Sequence, residues 1–146
     1  MQRRRFVHLA CVACVGLPAA SALLAGCQPI HYVTGTLTSD GILLSPVEFL
    51  DPAEKGAAYR KYIIVRNDQL EYPICLYRMS ETEYSALLMR CTHQGTELQA
   101  GGDRLHCPAH GSEYDQRGKV TQGPAEVNLR SFAVVADASG ILIQLR

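Results

Sequence analysis

The sequence predicts an all-β chain, an antiparallel sandwich or barrel, and three observations carry that reading. Apolar, β-branched or aromatic runs at 59–66, 73–79, 84–90, 131–136 and 141–145 recur at intervals of about ten residues. Turn-forming clusters separate them: Asn67-Asp68, Ser80-Glu81-Thr82-Glu83 and Asp137-Ala138-Ser139-Gly140, the last joining two strands as a hairpin. No stretch sustains the period of an amphipathic helix. Residues 81–90 have helical propensity, but Tyr84, Leu87, Leu88 and Met89 also fit a strand entering a core.

Taken from the N-terminus, residues 1–26 read as an export signal: Arg3, Arg4 and Arg5, then an apolar stretch over 6–25 that ends in small residues. Arg3-Arg4-Arg5-Phe6-Val7 resembles a twin-arginine signal, with Gln2 at the polar position before the pair. Leu24-Ala25-Gly26-Cys27 resembles a lipoprotein box, which implies cleavage before Cys27 and acylation of its thiol. An uncleaved membrane helix is the alternative, since 6–25 has about the length of a span, although Gly16, Pro18 and the many alanines suit a cleaved signal better. Both readings place the rest of the chain outside the cytoplasm, on the periplasmic face, held at a membrane. Cys11 and Cys14 lie inside the signal, so their spacing is not read as a metal or redox motif. Residues 27–41 are polar, with Pro29, Gly35 and Gly41, and read as a lipid-anchored tether; a flexible tether of that length reaches about 20 Å. Residues 42–146 then form a single domain.

Over the 146 residues, 14 basic and 14 acidic side chains balance, but without 1–26 the count is 11 against 14, a net charge of −3. That remainder holds no basic stripe, so nucleic acid is not an expected partner.

The chemistry concentrates in two short motifs. Cys91-Thr92-His93-Gln94-Gly95 and Cys107-Pro108-Ala109-His110-Gly111-Ser112 flank a short hairpin whose strands include Glu97-Leu98 and Arg104-Leu105-His106. Each motif offers one thiolate and one imidazole. Zinc accepts two sulfur and two nitrogen ligands tetrahedrally, and so, in a different arrangement, does a two-iron cluster with two cysteines on one iron and two histidines on the other. Zinc-finger spacings pair cysteine with cysteine and histidine with histidine, whereas each motif here mixes them.

The pattern C-T-H-x-G then C-P-x-H-G-S resembles the Rieske family, and the likeness continues through Ser112-Glu113-Tyr114-Asp115, Gly118-Lys119-Val120 and Gly123-Pro124-Ala125. The resemblance implies a Rieske fold: an antiparallel β-sandwich base domain with a small rubredoxin-like cluster-binding subdomain over about 89–125. It implies a [2Fe–2S] cluster on Cys91, His93, Cys107 and His110, covered by a loop at Gly123 and Pro124. Ser112 and Tyr114 would donate hydrogen bonds to the cluster sulfide and to Cys91. Of the other histidines and cysteines, His106 reads as a strand residue pointing away from the cluster, His31 as part of the tether, and Cys75 as a small buried hydrophobe.

Histidine ligation makes the centre less negative than a four-cysteine cluster and so easier to reduce; the free imidazole nitrogens can couple protons to electrons. The chain therefore reads as an electron carrier between a membrane or periplasmic oxidoreductase and an acceptor such as a c-type cytochrome. Alternatives are a subunit of a quinol:cytochrome c complex beside cytochrome b, a subunit of an arsenite-oxidase-like complex, and a zinc-stabilised lipoprotein. Three departures from the bc-complex pattern are visible: Thr96 and Ala109 stand where that group carries a disulfide, and Gln94 where it carries leucine. An oxygenase ferredoxin shares the expected fold but works in the cytoplasm, which the export signal argues against.

Overall fold

The computed structural model describes residues 30–52 and 58–146. The export signal at 1–26, with Cys11 and Cys14, and the lipidation candidate Cys27 lie outside them.

Among the described residues, secondary structure is almost entirely strand. In chain order these are β1 (Tyr32–Val33), β2 (Thr36–Leu37), β3 (Gly41–Leu44), then a single 3-10 turn at Pro46–Phe49, β4 (Tyr62–Val65), β5 (Ile74–Arg78), β6 (Tyr84–Leu88), β7 (Gln99–Gly101), β8 (Arg104–His106), β9 (Glu113–Asp115), β10 (Val120–Gln122), β11 (Ser131–Phe132), β12 (Val134–Asp137) and β13 (Gly140–Gln144). They form three sheets: a central sheet β1-β4-β5-β6-β11, an outer sheet β12-β13-β3-β2, and a tip sheet β10-β9-β8-β7. The all-β expectation holds, and the ambiguous stretch at 81–90 contains the strand β6, with no helix. Pairing is antiparallel throughout except between β1 and β4. Two strands lie within the span read as a tether: Tyr32–Val33 pairs with β4, and Thr36–Leu37 pairs with β3. Their short length and polar flanks hid them from a period-based reading.

The central strands explain why β4 and β5 read as unbroken apolar runs. Side chains alternate across a sheet, and here both faces are covered. Ile63, Val65, Ile74, Leu76 and Ala86 face a core shared with Ile42, Leu44, Ile141 and Ile143 of the outer sheet and with Phe49. Ile64, Cys75, Tyr77 and Leu87 face a second core with Leu98, Leu105, Tyr114, Cys91 and Cys107. The first core makes the sandwich; the second fastens the tip sheet, and the two cysteines of the motifs, onto its back. Each fully buried Leu or Ile contributes about 1.5–3 kcal/mol to that fastening.

Tyr77 is the one awkward member of the second core. It is fully buried, and among the described residues its hydroxyl has no hydrogen-bond partner of normal geometry. Its ring packs on Tyr62 across the strand pair, at 5.6 Å between centroids, and its polar neighbour on the same face of β5 is the Cys75 thiol. Burial pushes both the Tyr77 phenol and the Cys75 thiol well above their usual pKa values, so both stay neutral.

Two substitutions test this division of labour. Leu105→Ala removes a fully buried side chain that ties the tip to the central sheet, and should destabilise by about 2–5 kcal/mol. Tyr77→Phe removes only an unpartnered hydroxyl and should melt no lower than the parent. Thermal denaturation followed by circular dichroism reads both; a large loss of Tm in Tyr77→Phe would show that its hydroxyl is satisfied after all.

Candidate metal centre

Both motifs form the tips of antiparallel hairpins, and the same backbone bonds close them. In the first loop, the Gly95 N–H donates to Cys91 O at 2.8 Å and the Cys91 N–H to Thr96 O at 2.8 Å. In the second, the Gly111 N–H donates to Cys107 O at 2.9 Å and the Cys107 N–H to Ser112 O at 2.8 Å. Each loop must reverse within four residues of its cysteine, and the reversal falls on a glycine in left-handed backbone, Gly95 at φ +78° and Gly111 at φ +80°. Only glycine adopts that conformation without strain. The first loop is held below by the Arg90–Glu97 bridge and the Leu98 N–H to Met89 O bond, the second by pairing of β8 with β9.

This closure sorts the side chains. Cys91 and Cys107, at the loop starts, are 2 % and 1 % exposed, whereas His93 and His110 are exposed at the tips. The two imidazoles lie side by side and perpendicular, with ring centroids 4.9 Å apart. Burial pushes the Cys91 thiol up, but hydrogen bonds from the Tyr114 hydroxyl, the backbone N–H of His93, the Cys107 thiol and the Gln94 N–H outweigh it, so Cys91 ionises below the usual thiol value. The Tyr114 phenol is held above its usual value by burial and then by its bond to Cys91.

The four donors are grouped by type, two thiols inside and two imidazoles side by side at the surface. A tetrahedral zinc ion needs all four around one centre; a two-iron cluster needs them grouped in this way. The donor set therefore fits a two-iron cluster, which Cys91, Cys107, His93 and His110 could hold.

The neighbouring hydrogen bonds fit the same group. Tyr114, fully buried in β9, places its hydroxyl 3.4 Å from Cys91 Sγ. Ser112, also fully buried, accepts at Oγ from the Ala125 N–H at 3.0 Å. Among the described residues nothing accepts its own hydroxyl hydrogen, which leaves that proton available to a cluster sulfide. Thr92, to which the sequence reading gave no role, competes for the Tyr114 proton. Its Oγ1 donates to Val127 O at 2.6 Å, so toward Tyr114, at 2.9 Å, it can only accept. The Thr92 N–H meanwhile donates to Tyr114 Oη at 3.1 Å.

The segment 120–129 crosses both loops. Gln122 Nε2 donates to Gly111 O at 2.9 Å, Ala125 bonds Ser112, and Val127 O takes the Thr92 hydroxyl. Gly123 and Pro124 sit between these anchors. Cys75, Cys91 and Cys107 are free thiols among the described residues, and Thr96 and Ala109 offer no disulfide, so these three hydrogen bonds join the bonds of Tyr114 to Cys91 and Thr92 in linking the two loops. His106 sits in β8 and His31 bonds Glu48 at 3.1 Å, away from the four donors.

A β-sandwich carrying a two-loop Cys/His tip is the architecture of a small iron–sulfur electron-transfer protein. The model of the Rieske [2Fe–2S] domain matches residues 55–133, more than half of the chain. Over 55 residues, 36% of this chain and 31% of the relative, it is 49% identical to the cytochrome b6-f complex iron-sulfur subunit of Synechococcus sp. (strain RCC307). Against the subunit of that name from Prochlorococcus marinus (strain MIT 9515) it is 39% identical over 56 residues, 37% of this chain and 32% of the relative. The matched segment thus spans about a third of these curated relatives. Among solved structures, the cyanobacterial plasma membrane Rieske protein PetC3 from Synechocystis PCC 6803 aligns with a TM-score of 0.50 and 25% identity, over 57% of this chain and 86% of that one. The ferredoxin of carbazole 1,9a-dioxygenase from Nocardioides aromaticivorans IC177 aligns at 0.51 with 21% identity, over 74% and 100%, a likeness of fold alone. The chain belongs to the Rieske [2Fe–2S] family. It is an iron–sulfur electron-transfer protein that binds a [2Fe–2S] cluster and is related to the cytochrome b6-f Rieske subunit.

The geometry gives substitutions of opposite sign. A hydrogen bond that strengthens by about 1 kcal/mol on reduction raises a one-electron potential by roughly 40 mV. Ser112→Ala and Tyr114→Phe should each lower the potential by at least that order, while Thr92→Val, which leaves the Tyr114 proton to Cys91 alone, should raise it. Protein-film voltammetry reads all three; a Thr92→Val potential at or below the parent value would show that the Tyr114 proton is not shared.

Proposed function

We propose that this chain is an exported, membrane-tethered carrier of single electrons, with its cluster held by Cys91 and Cys107 on one iron and by His93 and His110 on the other. The observation that carries the reading is the pairing of two exposed imidazoles over two buried thiols. The bound [2Fe–2S] group supplies reversible one-electron chemistry. Around it, Tyr114 and backbone N–H groups would donate to the Cys91 sulfur, Leu105 and Tyr114 keep water from the sulfur side, and His93 and His110 present an exposed edge to a partner. The partner is a membrane or periplasmic oxidoreductase on one side and an acceptor such as a c-type cytochrome on the other.

The position of Ile30 and His31 is compatible with such a tether. Ile30 and His31 share a hollow with Ala100, Gly101 and Gly102, at the turn between β7 and β8. That turn lies at the opposite end of β8 from Cys107, roughly 10 Å away at the rise of a strand. A domain held through residues 27–29 and an acylated Cys27 would thus carry its imidazoles on the side away from the anchor.

A second reading, a subunit of a quinol-oxidising cytochrome complex, draws on the naming of the relatives as cytochrome b6-f subunits. Gln94 at the tip, and the hydrogen-bonded link in place of a disulfide, make the free-carrier reading the better supported of the two.

Replacing either imidazole decides the ligand assignment. His93→Ala and His110→Ala should each abolish the rhombic EPR signal of the reduced protein; an unchanged spectrum in either would refute it. Mass spectrometry of the protein from the membrane fraction should show a diacylglyceryl-modified Cys27 at the mature N-terminus, and an intact 1–26 segment there would replace the lipid anchor with a membrane helix.

A further inference from the structure

Two hollows on the side of the tip that carries His93 run together into one groove. The hollow beside the imidazole, of about 530 Å³, and its neighbour, of about 250 Å³, share Leu88, Arg90 and Arg130 in their walls. His93 and Val127 stand at one end, Tyr72 and Phe132 at the other. We propose that this groove is the docking site for a carboxylate-bearing face of the protein that exchanges electrons with this chain, an inference that rests on the electron-carrier reading above.

The two guanidiniums are fixed in place without being neutralised. Arg90 Cζ lies 5.4 Å from the centre of the Tyr72 ring, and Arg130 Cζ lies 4.8 Å from that of Phe132. On its other side Arg90 lies against the first ligand loop, where a Cβ at Gly95 would come within 3.3 Å of its Nε. Arg130 also donates from Nη2 to Leu145 O at 3.4 Å, a neutral acceptor that leaves its charge in place. Stacking of this kind holds a planar cation while leaving its remaining N–H groups available for carboxylate bonds. Among the described residues, Arg60, Arg66, Arg104 and Arg117 each pair with a carboxylate, and neither Arg90 nor Arg130 does. The hollow beside His93 has no acidic residue in its wall; Glu71 lines only the outer one.

The composition between the arginines is that of an interface centre: aromatic and aliphatic side chains with arginine, and no lysine. Val127, 66 % exposed, gives an apolar contact beside the imidazole. The charge background makes the groove directional. Residues 27–146 carry a net charge of −3, so an acidic partner is repelled by most of the surface and attracted where two guanidiniums without a carboxylate partner among the described residues line the hollow beside His93. Complementarity of this type sets the encounter rate and the orientation more than the affinity. An acidic face held by Arg90 and Arg130 brings its own redox centre up to the imidazole edge, where one electron crosses and no bond is made or broken.

The test uses the purified holoprotein, reduced and mixed by stopped flow with an acidic c-type cytochrome and, separately, with a basic one. At about 10 mM ionic strength, where screening is weak, the double variant R90Q/R130Q should lose about tenfold in rate with the acidic cytochrome, and lose nothing with the basic one. A second double variant, R78Q/R117Q, changes net charge equally outside the groove and should keep the parent rates. A wild-type measurement needs no variant: ferricyanide should oxidise the reduced protein with a rate that falls as salt is added, against the sign of the net charge. Equal rates for R90Q/R130Q and parent, or a ferricyanide rate that rises with salt, would overturn the docking site. The visible and EPR spectra of the same samples report separately on the electron-carrier reading, which fails only if the parent protein lacks the cluster.

Discussion

The site depends on how each ligand loop is closed. A backbone N–H four residues after the cysteine returns to the cysteine carbonyl, and the cysteine N–H reaches the carbonyl one residue further on. This small ring tucks the first side chain of each loop under the turn and throws the histidine outward. It works twice with the same geometry although the histidine is two residues from Cys91 and three from Cys107. From the closure follow the burial of both thiols, the exposure of both imidazoles, and the donation of loop N–H groups to Cys91. The separation of sulfur from nitrogen, which fits two metal atoms better than one, is built into the backbone before any metal is considered.

The closed loops are held by what lies beneath and across them. Beneath is the central sheet, whose back face gives Ile64, Cys75, Tyr77 and Leu87 to the same core as Cys91, Cys107 and Tyr114. Across them is the segment 120–129, bonded to Gly111, to Ser112 and to Thr92. These bonds occupy the place of a covalent clamp, and each is worth only about 1 kcal/mol. Ligation by the cluster therefore contributes a larger share of the rigidity of this tip than it would in a disulfide-linked one.

Much of this was legible in the sequence. The strands at 62–65, 74–78, 84–88 and 140–144 follow from apolar runs too short for helices, and the two loops that carry Cys91, His93, Cys107 and His110 follow from mixed Cys/His motifs before matching glycines. Strands of two residues, such as Tyr32–Val33 and Thr36–Leu37, left no period to detect, so part of an apparent tether belongs to the sheets. The role of Thr92 was hidden because its partners, Tyr114 and Val127, are 22 and 35 residues away. Arg90 and Arg130 were likewise anonymous surface charges until the fold set each against an aromatic ring and both against His93. What the sequence could not show was pairing across distance; what it did show was chemistry packed into adjacent positions.

A hydrogen-bond-linked tip adjoins an apolar, arginine-lined face beside one imidazole, and Ile30 and His31 lie at the far end of the hairpin. The central claim is that the four donors hold two iron atoms and not one zinc. Metal and acid-labile sulfide analysis of the purified protein, with EPR of the same sample after reduction, tests it most directly. The account predicts two irons and two sulfides per chain with a rhombic signal. One zinc per chain, with no labile sulfide and no signal, would contradict it.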